Sequence, residues 1–250
     1  MLAAITGLQY NNKEIIAKRA EIGYRLMALS PNIVRPELTR LAANDLRILF
    51  QLYDEVFFNH QLAASFTGQL KFSLSSRLTK SAGKTIFPRY PDKMPPGQLT
   101  AEIRMGTSFF FQYDAVAGPK LVSGITTQNA LEAFQLVFEH EICHFIEFVC
   151  FKTSNCRGKR FKNLAHNLFG HTDSYHKLPT QKQIALQQYG FQLGDPVSFT
   201  FEGSTLQGTL YRINKRATVM VKDRKGVYAN KKGVRYSKYY VPIESLVSID

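Results

Sequence analysis

Tryptophan is absent from this chain of 250 residues, and cysteine occurs only at Cys143, Cys150 and Cys156. Phe and Tyr carry the aromatic content instead. An odd number of cysteines, gathered in one short stretch, excludes the disulfide framework that staples small secreted domains. Long apolar runs are missing too. No stretch approaches about twenty uncharged apolar residues, which argues against a membrane-spanning helix. Lys13, Glu14, Lys18, Arg19, Glu21 and Arg25 interrupt the N-terminal segment, leaving no apolar core for a signal peptide. Internal repeats and low-complexity tracts are also lacking. These absences predict a soluble, cytoplasmic protein with no membrane partner.

Acidic side chains are scarce in one half only. Residues 1–150 hold 15 Lys and Arg against 13 Asp and Glu, whereas residues 151–250 hold 17 against 6, for nets of +2 and +11. A near-neutral front and a basic back predict that the second half meets a polyanion, with a solvated basic surface as the alternative. An apolar content of 44% allows a real core.

Apolar periodicity predicts helices over about 12–29, 38–60, 129–152, 159–168 and 181–189. Alternation predicts strands over 69–76, 84–87 and 101–105, while Phe109-Phe110-Phe111 fits either a continued strand or a short helix. Beyond Gly194-Asp195 the period is two. Val197, Phe199 and Phe201 alternate, as do Leu210 to Ile213 and Thr218 to Val221, with basic turns between them. Short strands at regular spacing predict a small β-barrel.

The stretch 129–152 contains His140-Glu141-Ile142-Cys143-His144, an HExxH run. Two histidines four apart lie one turn apart on one helix face, so both imidazoles reach a single Zn²⁺. Glu141 is then placed as general base for an attacking water. Phe134 to Phe138 before the run and Phe145 to Val149 after it suit a helix crossing the core, where a metal satisfies an otherwise costly polar pair. Glu147 shares the histidine face. It reads either as a carboxylate that orients a ligand or as an ordinary polar residue.

Residues 40–180 resemble the SprT-like family of zinc metalloproteases. Leu52-Tyr53-Asp54-Glu55-Val56-Phe57-Phe58 through Leu62 matches the family's LYD-x-x-FF-x-x-x-L helix. Ser75-Ser76-Arg77-Leu78-Thr79 through Gly83 matches its S-x-R-x-T-x-x-x-G strand and turn, and the HExxH helix follows. The resemblance implies a zincin-like α+β fold, one Zn²⁺, and cleavage of a protein substrate tied to nucleic acid, with DNA favoured. It also implies a third ligand histidine before the basic helix, where this chain has Cys156-Arg157-Gly158-Lys159-Arg160-Phe161. Arg157 stands at that position, and arginine has no lone pair for a metal. Cys156 is the candidate replacement, since a His₂Cys set leaves a fourth position open. His166, His171 and His176 are the alternatives.

Residues 191–250 resemble SH3-like barrels of the KOW and Tudor type, through Gly194-Asp195-Pro196-Val197, Gly208-Thr209-Leu210 and Tyr240-Val241-Pro242. The expected organisation is an N-terminal helical extension over 1–37, a metalloprotease domain over 38–189 and an SH3-like module over 190–250. Lys159, Arg160 and Lys162 beside the metal motif, with Lys215, Arg216, Arg224 and Lys225 at barrel turns, are the candidate nucleic-acid contacts. Tyr228, Tyr236, Tyr239 and Tyr240 are interleaved with Arg235 and Lys238, a pattern that suits a platform for single-stranded nucleic acid, with packing of the barrel core as the alternative for some of the tyrosines. The expected function is therefore a zinc protease. A catalytically weak nucleic-acid-binding adaptor is the rival, and a zinc hydrolase acting on something other than protein is a third reading.

Overall fold

The computed structural model describes residues 5–95 and 97–249. They form a mixed α+β arrangement that divides into two compact units, Met1–Leu178 and Pro179–Asp250. The division falls before the expected boundary near 190. Ala185, on helix Gln181–Tyr189, is buried in the second unit's apolar core beside Phe191 and Val197.

The first unit opens with α1 (Asn12–Leu29), closed at its N-terminus by a capping box between Asn11 and Glu14. Ile22 and Leu26 are fully buried in the unit's core. Helix α2 (Ala43–Phe58) starts later than the periodicity predicts. Asp45 reaches back to the Ala42 N–H at 2.6 Å and fixes the start there. It also stops short of His60, because Asn59 and His60 adopt left-handed backbone angles.

Strands β1 (Gln69–Ser75), β2 (Gly83–Ile86) and β3 (Thr100–Gly106) form one sheet in the order β1-β3-β2. β1 runs parallel to β3 and β2 antiparallel to it. Alternation buries Ala101, Ile103 and Met105 of β3, as read from the sequence. β2 is an edge, and among the described residues no strand pairs with its other side. Phe109 to Phe111 belong to a single-turn helix, Thr107–Phe111. A hairpin of β4 (Lys120–Val122) and β5 (Ile125–Thr127), which the alternation does not announce, leads into the motif helix.

That helix, α3 (Ala130–Phe151), is capped by Asn129, whose side chain accepts from the Glu132 N–H at 2.9 Å. It ends at Lys152 in a left-handed turn. Most of its residues are buried, so its inner carboxylates Glu139, Glu141 and Glu147 each require polar partners. Helix α4 (Lys159–Phe169) follows and ends at Gly170.

In the second unit, α5 (Gln181–Tyr189) precedes six strands: β6 (Pro196–Phe201), β7 (Ser204–Ile213), β8 (Ala217–Lys222), β9 (Tyr228–Ala229), β10 (Arg235–Val241) and β11 (Val247–Ser248). They form one antiparallel sheet in the order β11-β6-β7-β8-β10-β9. Val197, Phe199, Leu210 and Val219 fill its apolar side. Among the described residues no helix is long and apolar enough to cross a membrane.

Candidate metal centre

The 3.6-residue repeat of α3 stacks His140 over His144, with ring centroids 4.9 Å apart. Phe161 of α4 packs against both rings at 4.8 and 4.6 Å and limits their freedom. The connector between α3 and α4 brings Cys156 to the same place. One donor atom from each of His140, His144 and Cys156 lies within 4.8 Å of the others, a group able to hold a metal ion. Burial keeps both imidazoles neutral. It lowers His140 to about 3, helped by the neighbouring His144, and lowers His144 to about 4 against the pull of Glu147.

The connector is anchored by Glu147. Its carboxylate accepts from the Ser154 hydroxyl at 2.7 Å, the Asn155 N–H at 3.0 Å and Arg160 Nε at 2.7 Å. Ser154 Oγ in turn lies 2.6 Å from His144 Nδ1. The serine gives its single proton to the carboxylate, so it accepts from His144 Nδ1–H, and the Nε2 lone pair stays available. Of the two readings of Glu147, the orienting one fits this contact.

Glu141, on the turn between the histidines, is buried. Thr85 Oγ1 of β2 donates to its Oε2 at 2.7 Å and sits 3.0 Å from its main-chain oxygen. Burial raises the carboxyl to about 7, against the opposing Thr85 hydrogen bond. Glu141, His140, His144 and Cys156 open onto one cleft of about 450 Å³, walled by β2 and by the 174–176 segment.

The alternative ligands are elsewhere or occupied. His166 is exposed on α4. His171 is buried and bonded through Nε2 to Glu139 at 2.9 Å. His176 lines the cleft, but its Nε2 accepts the Ala82 N–H at 3.0 Å. Arg157 is exposed. Among the proposed nucleic-acid contacts, Lys159, Lys162, Lys215, Arg216, Arg224 and Lys225 are exposed. Arg160 is committed to Glu147 and lies over the Phe151 ring at 4.1 Å, so it is a structural tie first.

Sequence reasoning missed Ser154 and Thr85. Each is a common polar residue in a connector or strand, and only the fold carries it to α3. It also missed the ion-pair network beneath the site, where Arg19 Nε donates to Glu139 at 2.7 Å and the Tyr53 hydroxyl joins at 2.7 Å.

A model of the SprT-like family matches residues 46–181, more than half of the chain. No curated protein and no solved structure matches it.

Proposed function

The chain belongs to the SprT-like family, and from that premise we propose that it is a zinc-dependent protease acting on proteins associated with nucleic acid. On this reading the matched residues carry a zincin-like fold, and the β-rich second unit is an SH3-like barrel. The observation that carries the proposal is the convergence of two neutral imidazoles and one thiol beside a buried carboxyl. Two nitrogens and a sulfur suit a tetrahedral zinc with one position open. Zinc, when bound, supplies Lewis acidity that polarises a scissile carbonyl and acidifies water.

The chain's own residues do the rest. Glu141 takes a proton from the attacking water and returns it to the leaving amine, a role suited to a carboxyl poised near neutral pH. Thr85 holds that carboxyl in one rotamer. Ser154 and Glu147 hold His144 in one tautomer. The open edge of β2 runs along the cleft and suits an extended peptide added as a further strand, in which main-chain hydrogen bonds do most of the binding. Such a site reads little side-chain sequence, so substrates are selected by shared location. The basic residues 151–250 supply that location by holding nucleic acid, with DNA favoured. The three cysteines are unpaired, which suits a reducing, cytoplasmic compartment.

The adaptor reading keeps the metal and omits hydrolysis. It gives no reason for a carboxyl buried beside the two histidines and held by Thr85. The deciding experiment incubates the zinc-loaded chain and Glu141→Gln with a basic, unstructured protein, with and without DNA. Cleavage by the intact chain alone, at equal zinc content, is expected. If both are inert across substrates, the adaptor reading stands instead.

A further inference from the structure

The second unit carries a groove of about 640 Å³ whose lining includes Tyr211, Arg212, Lys215, Arg216, Lys238 and Tyr240. The local sequence builds it by breaking alternation. Along β7, Leu210 and Ile213 point into the core, and the register slips between Leu210 and Arg212. This bulge leaves Tyr211 and Arg212, consecutive residues, both exposed. Thr218 of β8 is paired with Arg212 on one side and Tyr240 on the other, and it is buried as the groove floor. On β10, Lys238 and Tyr240 are two apart and share the outer face, while Tyr239 and Val241 between and beyond them pack inward.

Two properties of this groove define its occupant. Four cations line it against one carboxylate, Glu244, so the ligand is anionic. Tyr211 and Tyr240 are 61% and 64% exposed, aromatic rings that the apolar core does not use. Lys238 Nζ lies 3.5 Å from the Tyr228 ring centroid and 5.9 Å from that of Tyr211, which fixes the cation beside the platform. An acidic peptide would satisfy the charge and leave the rings unused. A duplex would present its phosphates, but its bases are already stacked on one another. Unpaired nucleotides use both features.

We propose that this groove is a binding site for single-stranded nucleic acid, with bases stacked on Tyr211 and Tyr240 and phosphates on Arg212, Lys215, Arg216 and Lys238. The site deepens the nucleic-acid reading of the basic half and is independent of cleavage. It adds Tyr211 and Arg212 to the contacts the sequence suggested.

The test measures fluorescence anisotropy of the full chain with an oligothymidylate of about 15 nucleotides, near the upper end of the ~4–16 that one such site covers. A duplex of equal length and polyglutamate serve as competitors. Tyr211→Ala with Tyr240→Ala is expected to weaken single-strand binding by roughly tenfold per tyrosine, while the double Phe variant, which keeps the rings, binds like the intact chain. Both residues are exposed, and an unchanged circular dichroism spectrum confirms that the fold survives. Unchanged affinity in the Ala variant, an equal loss for duplex, or polyglutamate competing as well as oligothymidylate each overturns the groove. If the intact chain binds neither oligothymidylate nor the duplex, the wider nucleic-acid reading falls with it, whereas binding to the duplex alone overturns only the groove. Binding that persists undiminished in the Ala variant removes the groove alone.

Discussion

Gly83 of β2 stands so close to Glu141 of α3 that a Cβ there would lie 2.6 Å from Oε1 and 2.8 Å from Cγ. The glycine is required by space, not by its backbone angles, and it lets the strand edge pass directly over the carboxyl. Gly83→Ala is expected to push the Glu141 side chain off Thr85, since the carboxylate end moves more easily than backbone. Zinc content should stay near that of the intact chain, and cleavage should fall by roughly 10- to 100-fold, because a misplaced base costs rate steeply. Stability should drop by about 1–3 kcal/mol, the usual cost of overpacking. Metal analysis beside a cleavage assay checks this, and full activity in the variant would refute the contact's role.

The titration of Glu141 gives a second expectation, for the zinc-free chain. Burial raises its carboxyl from 4.5 to about 7. The folded state therefore keeps a proton that the unfolded chain releases, so stability is lost as pH rises through that window. The loss is on the order of 3 kcal/mol by pH about 8. Glu141→Gln lacks this term, so its stability advantage over the intact chain should widen from pH about 5 to about 8. Bound zinc should narrow the gap, because a cation favours the carboxylate. Urea unfolding with chelator and with zinc measures it. A gap that does not change with pH would mean Glu141 is hydrated.

Much of this site was legible in the sequence, for a local reason. HExxH and its apolar flanks are short-range, and α3 falls where the periodicity places it. Cys156 was reachable because Arg157 cannot ligate and its neighbour can. The distant partners of Glu139 and Glu141 were not legible. Thr85 lies 56 residues from Glu141, and Arg19 lies 120 from Glu139. No periodicity marks such pairs; only the packing of α1 and β2 onto α3 creates them. The apolar face of the N-terminal helix was legible through Ile22 and Leu26, but its packing into the core was not, for the same reason.

The ligand set predicts a pattern among cysteine and serine variants. Cys156→Ser should lower zinc affinity markedly. Cys143→Ser and Cys150→Ser should retain it, since Cys143 is buried in the apolar core and neither belongs to the converging group. Ser154→Ala should weaken zinc roughly 10- to 100-fold by freeing His144 to rotate, although serine touches no metal. Chelation should lower the melting temperature of the intact chain, because zinc binds the folded site alone. Competition against a chromophoric chelator ranks the variants. Equal affinity in the Cys156 and Cys143 variants would remove the thiol from the set.

Beneath the metal site, Arg19 is the cation that keeps Glu139 ionised. Burial alone would raise the Glu139 carboxyl, but Arg19 and the His171 hydrogen bond outweigh it and hold the group at about 2. Arg19→Met leaves a carboxylate with 0% side-chain exposure and no strong base beside it, and should cost about 3–5 kcal/mol. The sign with pH follows from the depressed value. A lowered carboxyl pKa stabilises the fold fully above its ordinary 4.5, and that contribution is lost as pH falls toward 2. The intact chain should therefore lose its advantage over Arg19→Met between those limits. His140 and His144 titrate in both chains and cancel in the difference. Unfolding of the two zinc-free proteins in urea at pH about 7 and about 3 tests this. A gap as large at the lower pH would mean that Arg19 acts through the packing of α1 on α3 and not through its charge.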